Sequence, residues 1–118
     1  MSYHEGHVNI AASIAHAANR QYCISHGDYS QPEWGEAPFW QVESIRAGIR
    51  FLWENPDATP ADAHASWLAQ KERDGWRYGP EKDPVKKEHP CFKPYEQLPE
   101  DQKIKDKMFV AIARAMKP

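Results

Sequence analysis

Apolar residues recur every three or four positions in four stretches of this chain, and proline and glycine break the segments between them. From Ile10 to about His26, the residues Ile10, Ile14, Ala17, Ala18 and Cys23 fall roughly at helical spacing and predict a first helix, which Gly27 and Asp28 end. The nine residues before it are polar and read as a flexible N-terminus. "GDYSQPEWGEAP" reads as a loop. A second helix starts near Pro38 or Phe39, with Val42, Ile45, Ile49 and Leu52 as its stripe, and stops before Asn55, which Pro56 pushes out of the helical region. Thr59 as cap, Pro60 in the first turn and Asp62 beside it give the clearest start signal, for a helix from Pro60 to Asp74 closed by Gly75. A last helix begins near Pro99, with Ile104, Met108, Ala111, Ile112 and Ala115 on its buried face. Between the last two helices, "DGWRYGPEKDPVKKEHPCFKPYEQLP" is too polar and proline-rich for one element, and "WRYG" and "CFKPY" suit short extended pieces. The expected fold is mainly α: residues 10–118 form a single small domain of about four helices, with a long ordered loop and short β-strands.

Composition narrows the function. At 118 residues, with 41% apolar and 27% charged, the chain has the size and mix of one globular domain. A net charge of −2 argues against a nucleic-acid polymer as partner, because such partners are held by a general basic field. No apolar run approaches the roughly 20 residues of a membrane span, and no signal-peptide pattern opens the chain. The expected location is the cytoplasm, with Cys23 and Cys91 as reduced thiols. Five tryptophans in so short a chain are more than core filling needs, and point to a stacking or interface surface.

The long loop carries the most suggestive chemistry. Trp76 and Tyr78 alternate, so an extended backbone puts both on one face, where they are suited to stack on a planar base; Trp76 is equally suited to cap the core. Arg77 between them and Lys82, Lys86 and Lys87 beyond offer charge for a phosphate, although a solvated charged loop explains any one lysine. Trp67, mid-helix, reads as core. Upstream, Asn19, Tyr22, Trp34 and Trp40 form a second set, with Asn19 able to read a base edge or to cap, and Arg46 able to reach a phosphate or to pair with Glu43 or Glu54. His89, before Pro90, is suited to lock the loop through a backbone carbonyl or to donate to a ligand. His4/His7 and Cys23/His26 have metal-like spacing but lack third and fourth ligands, so no metal and no cofactor are expected. Nucleophile, phosphate-loop and zinc-protease motifs are absent, which favours binding over catalysis.

The residues Trp67, "GWRYG" at 75–79, Asp83, Lys87, "HP" at 89–90, "PY" at 94–95 and Leu98 are similar, in order and spacing, to the repeat domain of ryanodine receptors, the RyR domain. "ANRQYC", "SQPEWGEAPFWQ" and "NPDATPADAHASWLAQK" resemble the single-domain RyR proteins of bacteria and their phages. The resemblance implies a compact helical unit with a few short strands. It also implies a nucleotide ligand, since one pair of receptor repeats holds an adenine nucleotide between aromatic side chains and the prokaryotic domains are associated with nucleotide-signalling defence. Because receptor repeats pair about a pseudo-two-fold axis and one repeat is present here, it implies a homodimer. The expected function is capture of a nucleotide or nucleotide-derived signal, such as a phage-encoded sponge for an immune messenger. The alternatives are a protein–protein interaction module and, third, a phosphodiesterase or hydrolase of the same ligand.

Overall fold

The computed structural model describes residues 4–118, and the order of elements is α1 (Glu5–Ser25), a 3₁₀ turn at Trp34–Glu36, α2 (Phe39–Glu54), α3 (Pro60–Arg73), β1 (Arg77–Tyr78), β2 (Glu88–His89), a second 3₁₀ turn at Tyr95–Gln97, and α4 (Glu100–Ala115). The mainly α architecture with short strands is the one the sequence predicts, and the bounds of α2, α3 and α4 fall within a residue or two of expectation. At α3 the local code is complete: the Thr59 side chain accepts from the Asp62 amide at 3.1 Å while the Asp62 carboxylate accepts from the Thr59 amide at 2.9 Å. That reciprocal box satisfies two donors a helix otherwise leaves orphaned.

The N-terminus departs from expectation. Of the residues expected to be flexible, 1–3 lie outside the described residues, whereas Glu5 to Asn9 are helical and Val8 is fully buried. Two features extend α1 to Glu5. The His4 ring nitrogen Nδ1 accepts from the Gly6 amide at 3.0 Å, and the Glu5 carboxylate receives Arg46 at 2.6 Å and Arg50 at 2.5 Å from α2. The second is unreadable from local pattern, because its partners are some forty residues away.

The buried faces of two helices also differ from the expected ones. On α1 the core-facing residues are Val8, Ala11, Ala12, Ala15, His16 and Cys23, while Ile10 and Ile14 are 51% and 41% exposed. Alanine at the contact lets α1 approach α2 and α4 closely, and larger side chains from those helices fill the interface. On α4, Val110 and Ala113 are buried, Met108 and Ile112 are half-buried, and Ile104, Ala111 and Ala115 are exposed. On α2, Ile49 and Leu52 of the predicted stripe are buried together with Trp53, which the stripe did not include, while Val42 and Ile45 are half-buried. The Trp53 indole donates to the Ala113 carbonyl at 2.8 Å, which satisfies the ring's one polar atom inside the core.

α3 and α4 pack together, and the second 3₁₀ turn of the long loop packs against α3. Its extended pieces are not the pair suggested by "WRYG" and "CFKPY". β1 pairs in parallel with Glu88–His89, in the register Arg77↔Glu88 and Tyr78↔His89, while Cys91 to Tyr95 turns into the second 3₁₀ segment. Gly79 makes the close approach possible: a Cβ there would lie 2.5 Å from the Glu88 Cβ.

Candidate functional site

The site begins with how α3 ends. Asp74 caps the helix, Gly75 adopts a φ of +90°, the Gly75 amide donates to the Glu72 carbonyl at 3.0 Å, and the Trp76 amide donates to the Lys71 carbonyl at 2.9 Å. These are the two bonds of a Schellman closure, in which the second residue past the cap folds back over the third from the helix end. Here that places the Trp76 ring against Lys71, whose Nζ lies 5.4 Å from its centroid. Trp40, in the first turn of α2, completes the arrangement: its ring lies 5.6 Å from that of Trp76 at 47°, and 5.2 Å from Lys71 Nζ. Trp40, Lys71, Asp74, Trp76, Pro84 and Lys87 enclose a hollow of about 270 Å³.

The electrostatics of this corner are unusual. Lys71 is 4% exposed. Burial, and then the neighbouring charge of Lys82, hold its pKa below the ordinary lysine value against the pull of Asp74. Lys82 also leans on Trp40, with Nζ 5.5 Å from the ring. Much of the Lys82 side chain faces solvent, yet the protein around its ammonium lowers its pKa as well, with Asp28 opposing. Among the described residues, neither ammonium has a carboxylate at ion-pair distance or a hydrogen-bond acceptor. Lys87 has one: its φ of +57° directs the side chain beneath Gly75, where Nζ donates to the Asp74 carbonyl at 2.7 Å.

His89 is not among the walls of the hollow but lies next to one of them, 6.4 Å from the Trp76 ring and 5.0 Å edge-on from Trp67. Burial first, and then Lys82 and Lys71, push its pKa down to about 4, so it is neutral at pH 7. It locks the loop differently from the expected carbonyl bond. Nδ1 accepts from the Cys91 amide at 3.0 Å, which leaves the proton of the neutral ring on Nε2.

The structure therefore gathers Trp40, Trp76, Lys82 and His89 of the expected site residues. Tyr78 and Trp76 do not share a surface: Trp76 is 8% exposed and Tyr78 56%, with Lys93 Nζ 5.8 Å above the Tyr78 ring. Arg77 points to solvent and pairs with Glu88 at 3.4 Å. Arg46 is held by Glu5 and, at 3.3 Å, by Glu43. Trp34 packs beside the His16 ring at 5.9 Å, on the edge of the core. Asn19 is half-buried on α1, and the Tyr22 ring lies tilted beside that of His26 at 4.3 Å with its hydroxyl 3.4 Å from Asp101. Lys71 is the residue the sequence reading missed. The signal was present, because a glycine stop one residue before Trp76 fixes which helical side chain the indole covers.

A larger groove of about 710 Å³ runs between the end of α2 and α3, with Phe51, Ala65 and Ala69 among its walls. It is shallow, and its one carboxylate on α3, Asp62, is already used as the helix cap. Among the described residues no three His, Cys, Asp or Glu side chains group as metal ligands, and no helix is long and apolar enough to cross a membrane.

Comparison with protein-family models matches residues 55–116 to the RyR domain. The matched span holds α3, the loop and α4, and with them Lys71, Trp76, Lys82 and His89, while Trp40 is contributed from outside it. The match covers slightly more than half of the 118 residues, and this protein belongs to the RyR domain family.

Proposed function

We propose that this protein captures a small anionic ligand bearing a flat ring system, a nucleotide or nucleotide-derived signal, at the Trp40–Lys71–Trp76 hollow. One observation carries the reading: two ammonium groups, Lys71 and Lys82, lie within 5.5 Å of one indole, and among the described residues neither has a carboxylate at ion-pair distance. A cation taken out of water is costly unless paired, and an incoming phosphate supplies the pair while the exposed part of the Trp40 indole offers the ring a surface. Capture without turnover is the proposed output, as for a cytoplasmic sponge of a signalling nucleotide. The proposal includes a homodimer. α1 carries no Asp, Glu, Lys or Arg between Gly6 and Asn19, and its exposed Ile10 and Ile14 give a second copy an apolar face to cover.

Thermal-shift screening against mononucleotides, cyclic dinucleotides and ADP-ribose derivatives tests the reading. A ligand at a hundred times its dissociation constant stabilises the fold by about 2.7 kcal/mol. A flat response to all three classes at millimolar concentration overturns it. The competing reading, a protein-interaction module, draws on Phe39 and Val85, which are 77% and 93% exposed. It gains if no nucleotide binds and Phe39→Ser abolishes association with a partner chain.

A further inference from the structure

We infer that the hollow receives its ligand end-on, with a doubly charged terminal phosphate buried on Lys71 and the flat ring left outside. The inference rests on the nucleotide reading above and specifies which part of the molecule enters.

Three features of the site lead there. First, the indoles are closed against a base. A ring sandwiched between two others needs near-parallel walls roughly 7 Å apart, two van der Waals contacts of about 3.5 Å each. Trp40 and Trp76 stand at 5.6 Å and 47°, in contact with each other. Second, the space is small. At about 270 Å³ it lies under the roughly 300–1,000 Å³ of pockets that bury a drug-sized ligand. An end group fits such a volume, and a whole dinucleotide does not. Third, the charge favours an anion. Lys71 and Lys87 line the hollow with Asp74 as the one carboxylate, and Lys82, beside Trp40, adds an ammonium that Asp28 opposes. A phosphomonoester carries about −1.5 to −2 at pH 7, whereas a phosphodiester carries one charge.

The chemistry of Lys71 fits the deepest contact. Its ammonium has three N–H donors and, among the described residues, no acceptor for any of them. Three phosphate oxygens are the complement of that donor set. Lys82, exposed and with Nζ 5.5 Å from the same Trp40 ring, meets the same group from solvent, and the exposed part of Trp40 offers the ligand's ring a surface. This arrangement selects molecules ending in a phosphate over nucleosides and over cyclic phosphates.

The test is calorimetric titration of the full chain with four probes: a set of 5′-mononucleotides, the matching nucleosides, 3′,5′-cyclic mononucleotides and inorganic pyrophosphate. At least one 5′-mononucleotide is expected to bind at least about tenfold tighter than its nucleoside and its cyclic form, and Lys71→Met to remove that preference. Met keeps the packing beside the indoles and deletes only the charge. Lys82→Met, at a largely exposed position, is expected to weaken the mononucleotide by a smaller factor and serves if the first variant fails to fold. If pyrophosphate binds and no mononucleotide does, the nucleotide reading falls while the phosphate site stands. The inference is overturned if the nucleoside or cyclic form binds as tightly as the 5′-mononucleotide, if both lysine variants bind as wild type does, or if no phosphate-bearing probe binds.

Discussion

Acidification should weaken this fold through one histidine. The folded pKa of His89 is about 4, against 6.5 for a free imidazole, because burial and the Lys82 and Lys71 ammoniums disfavour its charged form. The unfolded chain therefore binds more protons than the folded one between these values, so the stabilisation is complete above pH 6.5 and declines as pH falls toward 4. Each pH step of one between the two values is worth about 1.4 kcal/mol, so the whole interval contributes about 3 kcal/mol, and the descent from pH 6.5 to 5 about 2 kcal/mol. This upper window is clear of the main carboxylate effect: Glu5, which Arg50 and Arg46 hold near 2, loses its contribution only as pH falls from its ordinary 4.5. The assay is urea denaturation at pH 7.0, 6.0 and 5.0 for wild type and His89→Asn. Asparagine keeps an acceptor for the Cys91 amide and does not titrate in this range. The variant loses packing against Trp67 and Trp76 at every pH, so the diagnostic quantity is the slope. Wild type should lose about 2 kcal/mol more than the variant between pH 7.0 and 5.0. Equal slopes for the two proteins would refute the assignment of the neutral, desolvated imidazole.

Further outcomes follow from the packing. Val8→Ala removes two methyl groups from a fully buried site and should cost about 2 kcal/mol in urea denaturation, whereas a loose N-terminus would show no change. Gly79→Ala forces a Cβ into that of Glu88 and should destabilise by about 1–3 kcal/mol, with the amide of Arg77, which donates to the Lys87 carbonyl, losing hydrogen-exchange protection. For the proposed homodimer, light scattering should give twice the chain mass at high micromolar concentration, and Ile10→Glu should give the monomer mass; a wild-type monomer with and without ligand counts against it.

The sequence by itself determined the helices and their stops. Thr59, Pro60 and Asp62 start α3, Gly75 ends it and Pro56 follows the end of α2, because caps and breakers act through bonds within a few residues of themselves. Those same local rules held Trp76 to the end of α3, and the RyR resemblance was legible from the loop's aromatic, glycine and proline positions. The sequence did not determine which face of α1 is buried, since Ile10 and Ile14 score as core by hydrophobicity while close helix contact selects Ala11, Ala12 and Ala15. Nor did it determine the start of α1, which depends on Glu5 meeting Arg46 and Arg50 across the bundle. The site was divided in the same way. Alternation in "WRY" pointed to Trp76 and Tyr78 as partners, but burial splits them, and the indole that meets Trp76 is Trp40, thirty-six positions earlier. Lys71 reads in one dimension as an ordinary helix-end lysine. Trp40 from α2 and Trp76 from the loop remove it from water, and only the tertiary structure brings those two rings together over it.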